Sequence, residues 1–229
     1  RQMCIRDRHI IKVRGPLGVK RLDKLRIAGG TPLHGTIRIQ GSKNAALPMM
    51  AAALLYPGIS VLRNCPRIAD VFCMEEILGT LGVDTRWQEH DLHLDCTKVQ
   101  KTEISAFYTE KMRSSVILLG VLLGRVGRVS MGYPGGCVIG KRPVDLHLYA
   151  LQKFGVRIDE KKDFLQASCE KMRGAEIFFR GSSVGATEQA VLSAVSADGT
   201  TRIHNCAKEP EIIWLCRFPV SYTHLTLPT

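Results

Sequence analysis

No apolar run in this 229-residue sequence approaches the roughly 20 residues that a helix needs to cross a bilayer, and the first thirty residues hold no apolar stretch of the secretory-leader kind. The expectation is a cytoplasmic protein with no membrane partner. Aromatic residues are scarce, at 6%, and none of them interleaves with a basic stripe, so the stacking platforms of a nucleic-acid groove are missing. Cys-x-x-Cys pairs are absent too. Eight cysteines occur without a nearby His cluster, which argues against a zinc site and against a disulfide framework in a chain of this size. Reduced thiols and no metal are expected. Acidic residues are outnumbered 21 to 32 by Lys and Arg; of the resulting +11, residues 1–21 supply +6 and the rest of the chain +5. That milder excess suits a small polyanionic ligand at least as well as a nucleic-acid backbone. With 45% hydrophobic and 23% charged residues, the composition is globular and sufficient for a substantial core.

One stretch concentrates the chemistry: Tyr133-Pro-Gly-Gly-Cys137-Val-Ile-Gly-Lys141-Arg142-Pro143-Val144-Asp145-Leu146-His147. Gly135, Gly136 and Gly140 permit the close backbone approach of a loop that closes over a ligand, and they make the Cys137 thiol accessible. Lys141 and Arg142 set two cations before Pro143, a residue suited to the first turn of a helix, whose free N–H groups attract anions. Asp145 and His147 look like an acid–base pair, but an i, i+2 spacing on a helix does not turn them toward each other.

The sequence also repeats itself. Residues 44–70 realign on 185–211 at a constant offset of 141, which places Asn64-Cys65 on Asn205-Cys206 and Gly58 on Gly199. A middle copy lies at an offset of 69, which grows to 73 by the match of Leu81-Gly-Val83 with Phe154-Gly-Val156. Units of ~70 residues are implied. Each reads as an alanine- or leucine-rich helix (45–55, 114–123, 186–195), a short β-branched strand, a second, amphipathic helix (70–81, 144–154) and a hairpin of alternating polarity. Helices apolar on every side are expected inside, with the strands and second helices around them, which inverts the usual α/β barrel. The four residues gained by the middle copy fall in the Pro-Gly-Gly-Cys loop, and an insertion confined to one copy marks a binding face.

That loop and Arg142-Pro-Val-Asp-Leu-His, together with Gly-Ser-Lys43-Asn44-Ala-Ala-Leu-Pro, Met-Arg113, Ser183-Val-Gly-Ala-Thr and Glu209-Pro-Glu-Ile, resemble the UDP-N-acetylglucosamine 1-carboxyvinyltransferase family. These enolpyruvyl transferases begin bacterial peptidoglycan synthesis. The resemblance runs from about Leu22 to Ile213 and implies the enolpyruvyl transferase fold, an inside-out α/β barrel. It implies transfer of the enolpyruvyl group of phosphoenolpyruvate to the 3-hydroxyl of UDP-N-acetylglucosamine, without a metal or other cofactor. By the same resemblance Cys137 is the proton donor and the thiol alkylated by fosfomycin, and Lys43 and Asn44 contact phosphoenolpyruvate. Arg113 serves the UDP-sugar and Arg142 the phosphate; Pro143, Val144, Asp145 and Leu146 cradle the nucleotide, and Ser183, Val184 and Gly185 offer backbone N–H groups to the diphosphate. One departure stands out: some family members carry a Lys where this chain has Gly181, with Arg180 beside it.

On residue types alone, Lys43 and Asn44 equally fit a solvated lysine and a helix cap, and Asp70 reads as a cap more readily than as a catalyst. Lys43-Asn44, Arg113 and Gly185 fall at equivalent points of the three copies, so the three helix starts are expected to share one rim. The ends depart from the family pattern and resemble translated adapter sequence. The expected organisation is an unrelated extension over 1–21, strands of a second domain within 22–42 (25–27 and 36–39), the repeat domain over 43–213 with its third unit incomplete, and an unrelated tail over 214–229. Because catalysis in the family uses a cleft between two domains, the alternative reading is a truncated, inactive UDP-sugar-binding fragment whose partner is the missing C-terminal domain.

Overall fold

Alanine, leucine and methionine crowd the start of the first unit, and their small or straight side chains allow a helix to be surrounded on all sides. The computed structural model, which describes residues 9–12, 25–28, 30, 32, 34–134, 144–221 and 224–226, shows that outcome. Helix α1 (Lys43–Ala53) buries every residue from Ala45 to Ala53. Residues 1–39 and 40–229 are two separate compact units. Within the first, β1 (His9–Lys12) pairs antiparallel with β2 (Leu25–Ala28), His9 opposite Ala28. The strand expected over 25–27 is therefore present, and its partner comes from residues set aside as foreign. The strand expected over 36–39 is not formed: Ile37 and Ile39 are exposed, and no ladder partner for them occurs among the described residues.

In the second unit, α1 leads to β3 (Ile59–Arg63), α2 (Ala69–Leu81) and a hairpin of β4 (Asp84–Gln88) and β5 (Asp91–Asp95). A short β6 (Glu103–Ile104) and α3 (Ala106–Lys111) connect to a 3-10 turn (Arg113–Ile117) that runs into α4 (Leu118–Val126). Then come β7 (Arg128–Gly132), α5 (Asp145–Lys153), and the hairpin of β8 (Arg157–Glu160) and β9 (Phe164–Ser168). The third copy follows as β10 (Glu176–Phe178), α6 (Val184–Val195), β11 (Arg202–His204) and α7 (Pro210–Ser221), and β12 (His224–Thr226) ends the described chain.

The repeat read from the sequence recurs in the hydrogen-bond register. Ile59 pairs with Asp95 between β3 and β5, and Arg128 with Ser168 between β7 and β9, positions related by the offsets of 69 and 73. Asn64 and Asn205 both adopt left-handed backbone, at φ 56 and 55. Gly82 and Gly155, at φ 101 and 87, end the second helices of the first two copies in a conformation that costs a side chain 1–2 kcal/mol, by rough estimate. Strands β6 and β10 add in parallel to β7 and β11, the strands that follow the inner helix of the next copy. Strand β12 adds to β3 in the same sense, which closes the three copies into a ring.

Two departures from the expected core matter for the site. Helix α6 buries Thr187, Glu188, Gln189 and Ser193, so it is not apolar on all sides. Gln189 repairs the break between the 3-10 turn and α4: its amide donates to Val116 C=O (2.8 Å) and accepts from Gly120 N–H (2.7 Å), groups that a regular helix would pair internally. The structure also shows no boundary at residue 214. Helix α7 runs through it, and its Ile212, Leu215 and Phe218, spaced three apart, are buried as one face.

Candidate active site

Each inner helix begins where its copy presents polar residues, and the 3-10 turn at Arg113 packs against both α1 and α6. Ser42 precedes α1 without a side-chain capping bond, and Lys43 and Asn44 are exposed. The Lys43 ammonium pairs with Asp70 Oδ2 at 2.8 Å, both side chains about half exposed at 49% and 47%. Asn44 Nδ2 donates to Glu211 Oε1 at 3.5 Å. The capping readings of Asn44 and Asp70 are thus corrected. Ser42 and Ile68 occupy the cap positions, and the two polar side chains face partners from other helices instead. Asp70 and Glu211 are equivalent residues, 141 apart, each in the first turn of its copy's second helix.

Residues 135–143 lie outside the described residues, and with them Cys137, Lys141, Arg142 and Pro143. The flanks of this loop are described. Pro134 and Val144 are buried and anchor its two ends. Tyr133 donates to Glu160 Oε2 at 3.5 Å. Burial, reinforced by Glu160, pushes the Tyr133 phenol up from its ordinary value, while the charge of Arg113 draws it down. His147, on the far flank, is 8% exposed. Burial first, and then the charge of Arg113, push its imidazole down to about 4, opposed by a hydrogen bond with Gln189. Arg113 therefore acts on both ends of the loop and is itself half-buried.

Val144 is buried and is anchored by packing, whereas Asp145 and Leu146 are half-buried. Asp145 forms an ion pair with Arg180, while His147 is buried against α6; a Cβ at Gly185 would lie 3.0 Å from its ring. The two residues do not face each other, as their spacing requires. Ser183 caps α6, its Oγ accepting from Ala186 N–H (3.4 Å) and its C=O from Thr187 N–H (3.0 Å). Among the described residues no acceptor meets the amides of Val184 and Gly185, the remaining first-turn donors.

Three features escaped the sequence reading. Glu188, a buried carboxyl on α6, is pushed up to about 8 by burial and then by the charges of Glu211 and Glu209. The Gln189 bridge and the Asp145–Arg180 pair join elements far apart in sequence, so spacing carries no trace of them. Among the described residues no group of three or more His, Cys, Asp or Glu is placed to hold a metal, and no helix is long and apolar enough to cross a membrane. The buried thiols Cys65 and Cys96 are pushed up to about 12 by desolvation, so both are protonated and inert.

Residues 27–218 match the EPSP synthase (3-phosphoshikimate 1-carboxyvinyltransferase) family. Among curated proteins, the chain is 45% identical over 208 residues to UDP-N-acetylglucosamine 1-carboxyvinyltransferase 1 of Symbiobacterium thermophilum, covering 87% of this chain and 47% of the relative. It is 44% identical over 191 residues to UDP-N-acetylglucosamine 1-carboxyvinyltransferase 2 of Caldanaerobacter subterraneus, covering 83% and 46%. The chain thus spans about half the length of the curated relatives it matches. Among solved structures, the enolpyruvyl transferase NikO from Streptomyces tendae superposes with a TM-score of 0.74 at 20% identity, over 87% of this chain and 53% of that one. EPSP synthase from Acinetobacter baumannii gives 0.66 at 13%, over 85% and 49%. These likenesses establish the inside-out α/β fold.

Proposed function

This chain belongs to the EPSP synthase family of carboxyvinyltransferases, and from that membership we propose that it serves the transfer of the enolpyruvyl group of phosphoenolpyruvate to the 3-hydroxyl of UDP-N-acetylglucosamine. The observation that carries this reading is the identity of up to 45%, over 87% of the chain, to relatives named for that activity. The shikimate-type reaction ranks lower, because the Pro-Gly-Gly-Cys137 loop belongs to the UDP-sugar enzymes in the resemblance. The reading places the protein in the cytoplasm, in the peptidoglycan synthesis that supports cell-wall growth and division, as a fosfomycin target.

In this proposal the rim of helix starts divides the substrates. Lys43 and Asn44 hold phosphoenolpyruvate, and Arg142 holds its phosphate. Arg113, the backbone of residues 143–146 and the amides of 183–185 hold the nucleotide sugar. The Cys137 thiol gives its proton to the methylene carbon of phosphoenolpyruvate, C2 becomes electrophilic, and the sugar 3-hydroxyl adds to it with loss of its own proton. Loss of a proton from the new methyl group and expulsion of phosphate then regenerate the double bond. A thiol near its free value of ~8.5 is mostly protonated at neutral pH and suits the first step, provided ligand phosphate offsets Lys141 and Arg142. The test replaces Cys137 in the enzyme completed with the remaining half of a relative. Cys137→Asp, which supplies an acid, retains turnover, and Cys137→Ser, too weak an acid, loses it; equal activity of the Ser variant overturns the assignment.

The chain's span, about 47% of its relatives, favours a second element of the reading: alone it binds and does not turn over. Ligands held on one open face stay solvated, which weakens each charged contact relative to a closed, dry site.

A further inference from the structure

Strands β7, β9 and β8 set three side chains in one row across the outer face of their sheet. Ser168 is the register partner of both Arg128 and Arg157, and all three residues are exposed. Together with Thr102, Ser130 and Gln166 they line an open concavity of about 400 Å³. Arg128 begins β7, whose other end leads to Tyr133, so the row stands at the end of the sheet away from the Cys137 loop. We infer that this row is a binding site for the phosphate group of a small phosphorylated molecule, held between the two guanidiniums above Ser168.

The charge of the row is uncompensated. Among the described residues neither Arg128 nor Arg157 meets a carboxylate, whereas Lys98, Lys161, Lys171 and Arg180 of the same unit each do. Asp159 also lines the concavity, but its carboxylate is paired with Lys161 at 3.6 Å. The two arginines are two strand spacings apart, roughly 10 Å between backbones, and like charges across a sheet repel. An anion between them removes that repulsion. A guanidinium offers a phosphate two parallel N–H donors, and the hydroxyls of Ser168 and Ser130 with the Gln166 amide add neutral donors beside them. The volume is that of a small-molecule site.

The first copy supplies an independent observation, because it shows that the fold does not require such a row. At the offsets of 69 and 73, Arg128, Ser168 and Arg157 correspond to Ile59, Asp95 and Asp84, which pair in the same register. There Asp84 is neutralised by Lys98 at 3.4 Å, and Asp95 accepts from the Thr97 hydroxyl at 2.7 Å. The second copy holds arginines where the first holds an apolar residue and an acid, and a hydroxyl where the first holds the central carboxylate. A row that is compensated within one copy is left cationic in the other.

The experiment titrates this chain with inorganic phosphate at an ionic strength held constant with chloride. The amide shifts of residues 128–130, 157–159 and 166–168 are followed apart from those of the helix-start rim. Saturable shifts are expected in this set, and acetate in place of phosphate gives none. Arg128→Ala and Arg157→Ala each weaken phosphate about tenfold, the loss of one charge-assisted hydrogen bond, and the double variant abolishes saturation. Ser168→Asp, which installs the carboxylate that Asp95 gives the first copy, abolishes it too. Because that variant adds a counter-ion for both arginines, its urea midpoint is not lowered, and its loss of binding is not unfolding. Shifts that fail to saturate or occur at the rim alone, an equal response to acetate, or native-like phosphate affinity in Ser168→Asp or in the double variant overturns the inference. None of these outcomes touches the function proposed for the rim.

Discussion

Lys43 and Asp70 form a 2.8 Å ion pair between the starts of α1 and α2, and each side chain is about half exposed. Solvent screening leaves such a pair worth at most about 1 kcal/mol, so Asp70→Asn is expected to shift the urea midpoint only slightly. Lys43→Ala behaves differently in binding. By the proposed role it removes the cation offered to phosphoenolpyruvate, and a titration should show that ligand lost while UDP binding is retained.

Helices α4 and α6 cross where Gly120 leaves no space: a Cβ there would sit 2.2 Å from the Gln189 side chain and from Ser193 Oγ. Gly120→Ala therefore forces apart a buried polar contact and should destabilise the chain by roughly 1–3 kcal/mol in urea unfolding. Gly79 in α2 provides the contrast. Nothing lies within 4 Å of its added Cβ, so Gly79→Ala is expected to be neutral or to stabilise by about 1 kcal/mol through helix propensity.

Burial holds the Glu188 carboxyl at about 8, above its ordinary 4.5, with Glu211 and Glu209 adding to the shift. The folded chain then keeps a proton that the unfolded chain releases. Stability is unaffected by this group below about 4.5, falls as pH rises between 4.5 and 8, and levels off above. The limiting slope is about 1.4 kcal/mol per pH unit. Glu188→Gln should flatten that window and be the more stable form at pH 8, as read by denaturant unfolding at several pH values. An unchanged slope in the Gln variant would show that another group is responsible.

Thiol chemistry separates the cysteines. Cys65 and Cys96, held at about 12, should resist alkylation at neutral pH, whereas Cys137, by the proposed role, takes the fosfomycin adduct. Peptide mass spectrometry that places the adduct on Cys65 or Cys206 would count against the site.

The repeat was the most legible feature of the sequence because it is periodic: offsets of 69, 73 and 141 reappear as strand registers and left-handed turns. The buried helices were legible through their composition. Strands β6 and β10, two and three residues long, were not, because a ladder that short has no alternation to detect. Residues 9–12 depart from the family pattern, yet they pair with β2 through backbone bonds that almost any sequence can make. At the site, the 3-10 turn that begins at Arg113 packs against both α1 and α6, the inner helices of the first and third copies. The partners of Asp70, Asp145 and Gln189 did not show, since each lies 27 or more residues away in sequence and is brought near only by tertiary packing.

On the proposed function, this chain supplies a substrate-binding rim and the Cys137 loop and needs the rest of the cleft for chemistry. The direct measurement is phosphate release from phosphoenolpyruvate and UDP-N-acetylglucosamine by the purified chain, alone and mixed with the separately produced remaining half of a relative. Each absent transition-state contact of ~3 kcal/mol lowers the rate about a hundredfold, so the chain alone should show at most a trace of the pair's rate. Release by the chain alone at a rate near that of the pair would contradict it.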